Sequence, residues 1–344
     1  MPVAAVAAAG AKGVMMTKFE TSKIGILAVQ FARRQLRGFC RLALALLLVI
    51  ALPVTAAEQR RFASPDEAVN ALIEACQADD DAALVALFGE RHQRLVVSPD
   101  RAYNTQTRAQ LLAALQGFRV LADDGADRRL LLIGEQAWPL PIPLLREAGG
   151  WRFASELGED EIINRRIGAN EREAIAVLRA YLDAQRQYAA LDRNGDGVLE
   201  YARRLGSTPG HHDGLYWPAP AGEEASPFGP LVAASSAYLK GHQQGDAYRG
   251  YHFRILTRQG KSAPGGAFSY LINGRMLAGF ALLAYPAEYG ESGVMTLIVS
   301  NNGTIYQKDL GPATARVAAE ITEFNPDASW QRVGTRVETR VEDR

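Results

Sequence analysis

Oxygen-bearing side chains crowd one short stretch of the chain, LDRNGDGVLEY at residues 191–201. The spacing follows a calcium loop, in which alternating residues of a tight turn supply oxygen ligands and a glycine at position 6 makes the sharp bend, here Gly197. The ligands would come from Asp192, Asn194, Asp196, the Val198 carbonyl and Glu200. Calcium is therefore the one cofactor that the sequence suggests.

The closing position of this loop departs from the calcium pattern. Position 12, where a bidentate glutamate is expected, holds Arg203. The sequence thus predicts either a low-affinity calcium site or a plain polar turn, in which Gly195 and Gly197 permit positive φ angles. If calcium binds, we expect it to fix the geometry with which the chain leaves the preceding helix.

Other residue types that carry chemistry occur without a complete motif. His211, His212 and Asp213 could ligate zinc, but adjacent histidines rarely face one ion, so we predict a surface loop. Cys76 ends a helical apolar stripe and is predicted to be a buried thiol. Neither a G-x-S-x-G elbow nor a phosphate-binding glycine loop is present. The sequence names no catalytic residue.

A set of aromatic residues offers a further possibility. They could line a groove for a glycan or a peptide, or they could pin proline-rich loops to the core. The set is Trp138, Tyr216, Trp217, Phe228, Tyr285 and Tyr289.

Residues 1–57 have the layout of an export signal. Arginines precede an apolar run at 42–52, and small residues up to Ala57 follow it. The run is shorter than the roughly 20 residues that cross a bilayer. The alternative is an uncleaved anchor, which would be the chain's only membrane contact. Arg33-Arg34 also resembles a twin-arginine signal. We expect a periplasmic or secreted protein.

The charge balance of the remaining chain argues against one class of partner. Seven basic residues and one acid lie within residues 1–57, so the 38 basic and 38 acidic residues of the whole chain become 31 and 37, a net charge of −6. An acidic body repels phosphate backbones. We therefore expect no nucleic-acid partner.

The fold class predicted from the patterning is α+β, with two domains. Residues 58–156 begin with helices, the first opened by a capping box at Ser64-Pro65, and end in strands around a turn at Ala148-Gly149-Gly150. This pattern of helices and a curled antiparallel sheet is similar to nuclear transport factor 2-like domains.

Residues 157–332 start with a long amphipathic helix and continue as an antiparallel meander with turns such as Asn302-Gly303. The helix is predicted to cover the sheet. Residues 333–344 form a charged tail.

Several long motifs carry a family resemblance. DRNGDGVLEYA, DGLYWP, GYHFRIL, GFALLAYPAEYGESGVMT and YQKDLG resemble the domain-of-unknown-function 2950 family of exported bacterial proteins. This resemblance implies export and assigns no functional residue. Residues 168–310 also resemble the soluble body of pilin-like proteins, without the hydrophobic pilin N-terminus.

The functional interpretation is an exported envelope protein that acts without catalysis, as a binding or scaffolding module. Its partner would be an envelope protein or a glycan. The alternative is an envelope hydrolase acting on cell-wall or glycan material in a cleft between the two domains, where sites often lie.

Overall fold

The computed structural model of the chain describes residues 58–98, 100–193, 195–220, 222–234 and 246–334. The predicted export signal at 1–57 and the tail from residue 335 lie outside these ranges. The described residues belong to one compact unit. None of the helices in these ranges combines the length and the apolar character that a membrane crossing needs.

Helices open the first half. They are α1 (Pro65–Ala78), α2 (Asp81–Phe88), a 3-10 helix (Glu90–Leu95) and α3 (Arg101–Gly117). The predicted cap at Ser64 is confirmed, because Ser64 Oγ accepts from Glu67 N at 3.2 Å; the Glu67 carboxylate accepts from Ala63 N at 3.2 Å, one residue before the cap amide that a capping box uses. The spacing of TRAQLLAALQGF predicts a helix from Thr107, but α3 begins at Arg101, because the Asp100 carboxylate caps Tyr103 N at 2.8 Å.

An antiparallel sheet follows these helices. Its strands are β1 (Arg119–Asp123), β2 (Arg128–Ile133), β3 (Trp138–Pro139), β4 (Leu144–Glu147) and β5 (Gly150–Phe153). The order is β1-β2-β4-β5, with β3 also on β2. Leu131, Leu144 and Phe153 point into a core shared with the helices, which includes Cys76. Burial raises the pKa of the Cys76 thiol to about 11, as expected for an inert structural cysteine.

The second half is a long helix on a meander. Helix α4 (Glu159–Tyr188) is followed by a loop-rich stretch, α5 (Gly229–Ala234), the strands and a last helix. The remaining elements are β6 (Tyr251–Leu256), β7 (Arg258–Gln259), β8 (Phe268–Ser269), β9 (Leu271–Ile272), β10 (Arg275–Met276), β11 (Ala281–Pro286), β12 (Met295–Ser300), β13 (Ile305–Asp309), α6 (Thr314–Glu320) and β14 (Gln331–Arg332). The main sheet has the order β14-β13-β12-β11-β6, all antiparallel.

Helix α4 lies on this sheet through its apolar face. Tyr181 is fully buried, its ring meets Phe280 edge to face at 5.5 Å, and its hydroxyl donates to the Ala281 carbonyl at 3.2 Å. Burial raises the Tyr181 pKa, which keeps the hydroxyl protonated as a donor. The predicted α+β class is confirmed by helices packed on antiparallel sheets in both halves.

The last helix is shorter than predicted. The sequence TARVAAEITEF favoured helix to Phe324, but α6 ends at Glu320. Phe324 is buried, and its amide donates to the Arg258 carbonyl at 3.0 Å, so pairing beside β7 replaces the final helical turn.

A closed polar seam joins the two halves. Arg166 of α4 donates to the carbonyls of Arg94 and Leu95 at 2.9 and 2.8 Å. On the second-half side of this seam, Asn170 donates to the Ser292 carbonyl at 2.8 Å. The space left between these residues is about 10 Å³, close to the smallest volume that holds one water molecule. The hydrolase alternative stays a prediction.

Two cores lie on the two sides of that seam. The division into domains at 58–156 and 157–332 stays a prediction, because both cores belong to one compact unit.

Candidate functional site

Asp192 closes the loop that follows α4. Its Oδ1 accepts from the amides of Gly195 and Asp196 at 2.9 and 3.3 Å, and its Oδ2 accepts from Gly197 N at 2.7 Å. Gly195 and Gly197 have φ angles of 71° and 83°, which other residues rarely adopt. The loop is thus held by an Asx-type turn that depends on both glycines.

Asp196 ties the loop to a neighbouring hairpin. Its Oδ1 accepts from Val198 N at 3.0 Å, and its Oδ2 pairs with Arg275 Nη1 at 2.6 Å. Arg275 begins β10, directly after the two-residue turn Asn273-Gly274, whose φ angles of 51° and 80° fit a tight hairpin. The contact with the Asp196 carboxylate raises the pKa of Arg275.

These contacts occupy the oxygens that a calcium ion would need. Both oxygens of Asp192 face backbone amides, and Asp196 faces an arginine. Asn194 lies outside the described residues. Within the described ranges, no three His, Cys, Asp or Glu side chains are placed to hold a metal ion. The hydrogen bonds of Asp192 form a polar turn, and calcium at Asp192, Asn194, Asp196, Val198 and Glu200 stays a prediction.

Arg193 fixes the exit from α4. Its Nε and Nη2 donate to the carbonyls of Tyr188 and Gln187 at 3.2 and 3.3 Å, and its Nη1 pairs with Glu224. The guanidinium lies 5.3 and 5.2 Å from the ring centres of Tyr188 and Trp217. Arg193 therefore holds the chain where it leaves α4, which is the role that calcium would have if it binds. A basic residue just beyond a helix C-terminus is a signal that could have revealed it.

The loop with the paired histidines lies across the cleft from the loop that follows α4. His212 stacks on Trp217 with ring centres 4.2 Å apart, and its carbonyl accepts from the Tyr188 hydroxyl at 2.7 Å. Asp213 accepts from the amide and hydroxyl of Thr208 at 2.7 and 2.8 Å. His211, His212 and Asp213 are exposed, as predicted for a surface loop.

The ionisation of Asp213 follows from these contacts. Burial acts to raise the pKa of its carboxyl, but the hydrogen bonds from Thr208 and the nearby Arg204 outweigh burial and hold that pKa below its ordinary value.

The two loops and the hairpin enclose a polar cleft of about 780 Å³. Four arginines line this polar cleft: Arg193, Arg203, Arg204 and Arg275. Three carboxylates line it: Asp196, Glu200 and Asp213. His211, His212, Tyr188 and Tyr201 contribute rings. The structure thus brings together two stretches that the sequence treated separately, the calcium-like loop and the histidine pair.

Arg203 differs from the other arginines of the cleft. Arg193, Arg204 and Arg275 each have a carboxylate partner. Arg203 is exposed and donates through Nη1 to the Gly274 carbonyl at 3.0 Å. Among the described side chains, no carboxylate lies within 4.0 Å of its guanidinium. The residue that breaks the calcium pattern is therefore a cleft arginine with no carboxylate partner among the residues that the structure describes.

The predicted aromatic groove is not the cleft. Trp217 and Phe228 are buried, and Trp217 Nε1 donates to the Glu224 carbonyl at 3.0 Å, so these two pin loops to the second core. Trp138 is 61% exposed on β3 of the first half. The aromatic residues that do line the cleft, Tyr188 and Tyr201, were not singled out by the sequence.

Comparison with known proteins gives one result. The family model described as "Protein of unknown function (DUF2950)" matches residues 59–333. No curated protein and no solved structure matches the chain. The match spans both halves of the fold and includes every cleft residue named above.

Proposed function

The chain belongs to the DUF2950 family of proteins of unknown function, and we propose that it is an exported envelope binding protein whose ligand site is the polar cleft. The observation that carries the proposal is a cleft of about 780 Å³ lined by arginines, carboxylates, histidines and tyrosines. Its volume lies within the range of small-ligand sites. Its walls are held by the hydrogen bonds of Asp192, Arg193 and Asp213, which supports binding by a pre-formed site.

The charges of the cleft support binding rather than hydrolysis. A carboxyl that acts as a general acid needs a pKa raised toward neutrality. Asp213 has a lowered pKa, and Asp196 is paired with Arg275. The described lining holds neither serine nor cysteine that a histidine could activate. Ionised carboxylates and guanidinium groups instead act as fixed hydrogen-bond acceptors and donors.

A glycan is the partner that this lining favours over an envelope protein. Each sugar hydroxyl both donates and accepts a hydrogen bond, and the cleft offers acceptors beside donors. Asp213 and Arg204, 3.5 Å apart, are one such neighbouring pair. Protein interfaces depend on desolvated aromatic and apolar anchors, whereas the cleft is lined mainly by charged and other polar side chains. We place the protein outside the cytoplasm on the basis of the signal-like segment at 1–57.

Co-sedimentation of the full chain with insoluble cell-wall glycan tests this function. We expect the wild-type protein to be retained and Arg204→Ala to bind about tenfold more weakly, because losing one charged hydrogen bond corresponds to about 1.5 kcal/mol. The matched control is Arg172→Ala, since Arg172 is an exposed arginine of α4 outside the cleft. Equal retention of all three proteins, or no retention of the wild type, would refute the proposal.

A further inference from the structure

We propose that two copies of this chain pair along β1, so that their first-half sheets join into one continuous sheet about a two-fold axis. The inference is independent of the ligand that the cleft binds. It rests on three features of β1 (Arg119–Asp123): an edge without a neighbouring strand in the described ranges, a sequence that complements itself, and apolar side chains exposed beside that edge.

One edge of β1 is open in the described part of the chain. β1 is the end strand of its sheet and pairs with β2. Asp124 N donates to the Arg128 carbonyl at 3.3 Å, and Gly134 N donates to the Phe118 carbonyl at 3.0 Å. Because an antiparallel ladder alternates, the even-numbered residues of β1 bond to β2. The N–H and C=O groups of the odd-numbered residues, within 119–123, therefore point to the open edge, where another strand can pair.

The sequence of β1, RVLAD, complements itself under a two-fold axis. If a second β1 runs antiparallel with Leu121 opposite the partner's Leu121, Arg119 of each copy lies opposite the partner's Asp123. These are positions whose backbone groups face the open edge, so each facing pair can exchange two hydrogen bonds. The side chains of both charged residues are exposed, and Arg119 Nη1 donates to the Leu115 carbonyl at 3.0 Å, which holds the guanidinium beside the strand. Opposite charges in facing positions stabilise a strand pair.

The charges select this register over its neighbours. A shift of the second strand by two residues keeps the hydrogen-bonding edge, but it places Arg119 opposite Leu121 or opposite Gly125. A shift by one residue sets edge-facing groups against groups that already bond to β2. Asp123 Oδ1 also contacts Arg129 Nε of β2 at 2.9 Å. In the proposed register, the join therefore continues a row in which basic and acidic side chains alternate.

The other face of this edge is apolar. Leu121 packs against the core of the first half, so the alternating residues Phe118 and Val120 point away from that core, and they are 40% and 43% exposed. In the proposed register, Val120 faces the partner's Ala122 as a non-hydrogen-bonded pair, in which side chains lie closest. Pairing would thus cover part of the apolar surface that a single copy exposes.

Sedimentation velocity of the full chain, over micromolar to millimolar concentrations, tests the inference. One five-residue strand from each copy buries less than the roughly 1,200 Å² of a standard interface, so the dimer should be weak. We expect the wild type to shift from monomer to dimer as its concentration rises within this range.

Charge reversal on β1 distinguishes this pairing from other association. Arg119→Glu sets two acids against each other in both charged rows, and Asp123→Lys sets two bases there. Each variant should therefore raise the dissociation constant of the dimer about tenfold. Mixing the two variants restores opposite charges and should give a heterodimer with close to wild-type affinity. Arg172→Glu makes the same charge change on an exposed position of α4 and should dimerise as the wild type does.

Three results would overturn the inference. One is a wild type that stays monomeric at every concentration, and a second is a dimer that Arg119→Glu leaves unchanged. The third is a mixture of the two charge-reversed variants that associates no better than either variant alone. Thermal melting shows that the variants are folded, since both positions are exposed and each variant should melt within a few degrees of the wild type.

Discussion

Replacing Arg193 with alanine removes the side chain that fixes the exit from α4. Arg193 is only 6% exposed, and it combines two hydrogen bonds to helix carbonyls, an ion pair with Glu224 and contacts with two aromatic rings. A hydrogen bond from a charged donor contributes about 1.5–3 kcal/mol, and a cation–π contact contributes about 0.5–1 kcal/mol. These contributions overlap, because one group makes all of them.

We therefore expect Arg193→Ala to lower the free energy of unfolding by about 3 kcal/mol. In a chain of this size such a loss lowers Tm by about 6–12 °C. Urea denaturation followed by tryptophan fluorescence measures it, since Trp217 lies against the lost guanidinium. The control is Arg186→Ala, because Arg186 is 59% exposed and pairs with Asp183 on the same helix, where such pairs contribute about 0.5 kcal/mol.

The reasoning would be refuted if Arg193→Ala and Arg186→Ala had the same effect. That result would mean that Arg193 does not hold the loop after α4. Another group, such as a bound ion, would then have to hold it.

Two further predictions concern the loop and the seam. If the loop binds calcium, millimolar calcium should raise Tm, because a ligand that binds the native state stabilises it by mass action. Asp192→Ala should abolish this rise in Tm. If calcium does not change the Tm of the wild type, the loop is a polar turn without an ion. Arg166→Met should lower the free energy of unfolding by about 3 kcal/mol, because two buried carbonyls lose their donor. It should also split the melting transition in two if the halves are separate domains; a single unshifted transition would contradict the role of the seam.

Local signals in the sequence predicted the elements well. The helix cap at Ser64, the turn before Gly150 and the amphipathic stripe of α4 each depend on neighbouring residues, and each formed as expected. The predicted end of α6 was wrong. The Phe324 amide donates to the carbonyl of Arg258, a residue far away along the chain, instead of forming a helical hydrogen bond. Tertiary pairing of this kind is invisible to local periodicity.

The cleft could not have been derived in the same way. It requires a loop at 193–204, a second loop at 210–213 and a hairpin at 274–275 to meet, and no sequence pattern joins these stretches. In the sequence, Arg203 stands at the position where a calcium loop has a glutamate. The sequence analysis therefore treated Arg203 only as a departure from the calcium pattern. Only the fold shows that neighbouring arginines are paired and that Arg203 lacks an acid among the described residues.

The central claim is that the polar cleft is where the protein binds its ligand. Hydrogen–deuterium exchange of the full chain, with and without soluble fragments of cell-wall glycan, tests it most directly. We predict slower exchange in peptides covering 195–213 and 271–277, with the first half unchanged. Protection confined to the first half, or no change around the cleft while the fragments bind, would contradict the account.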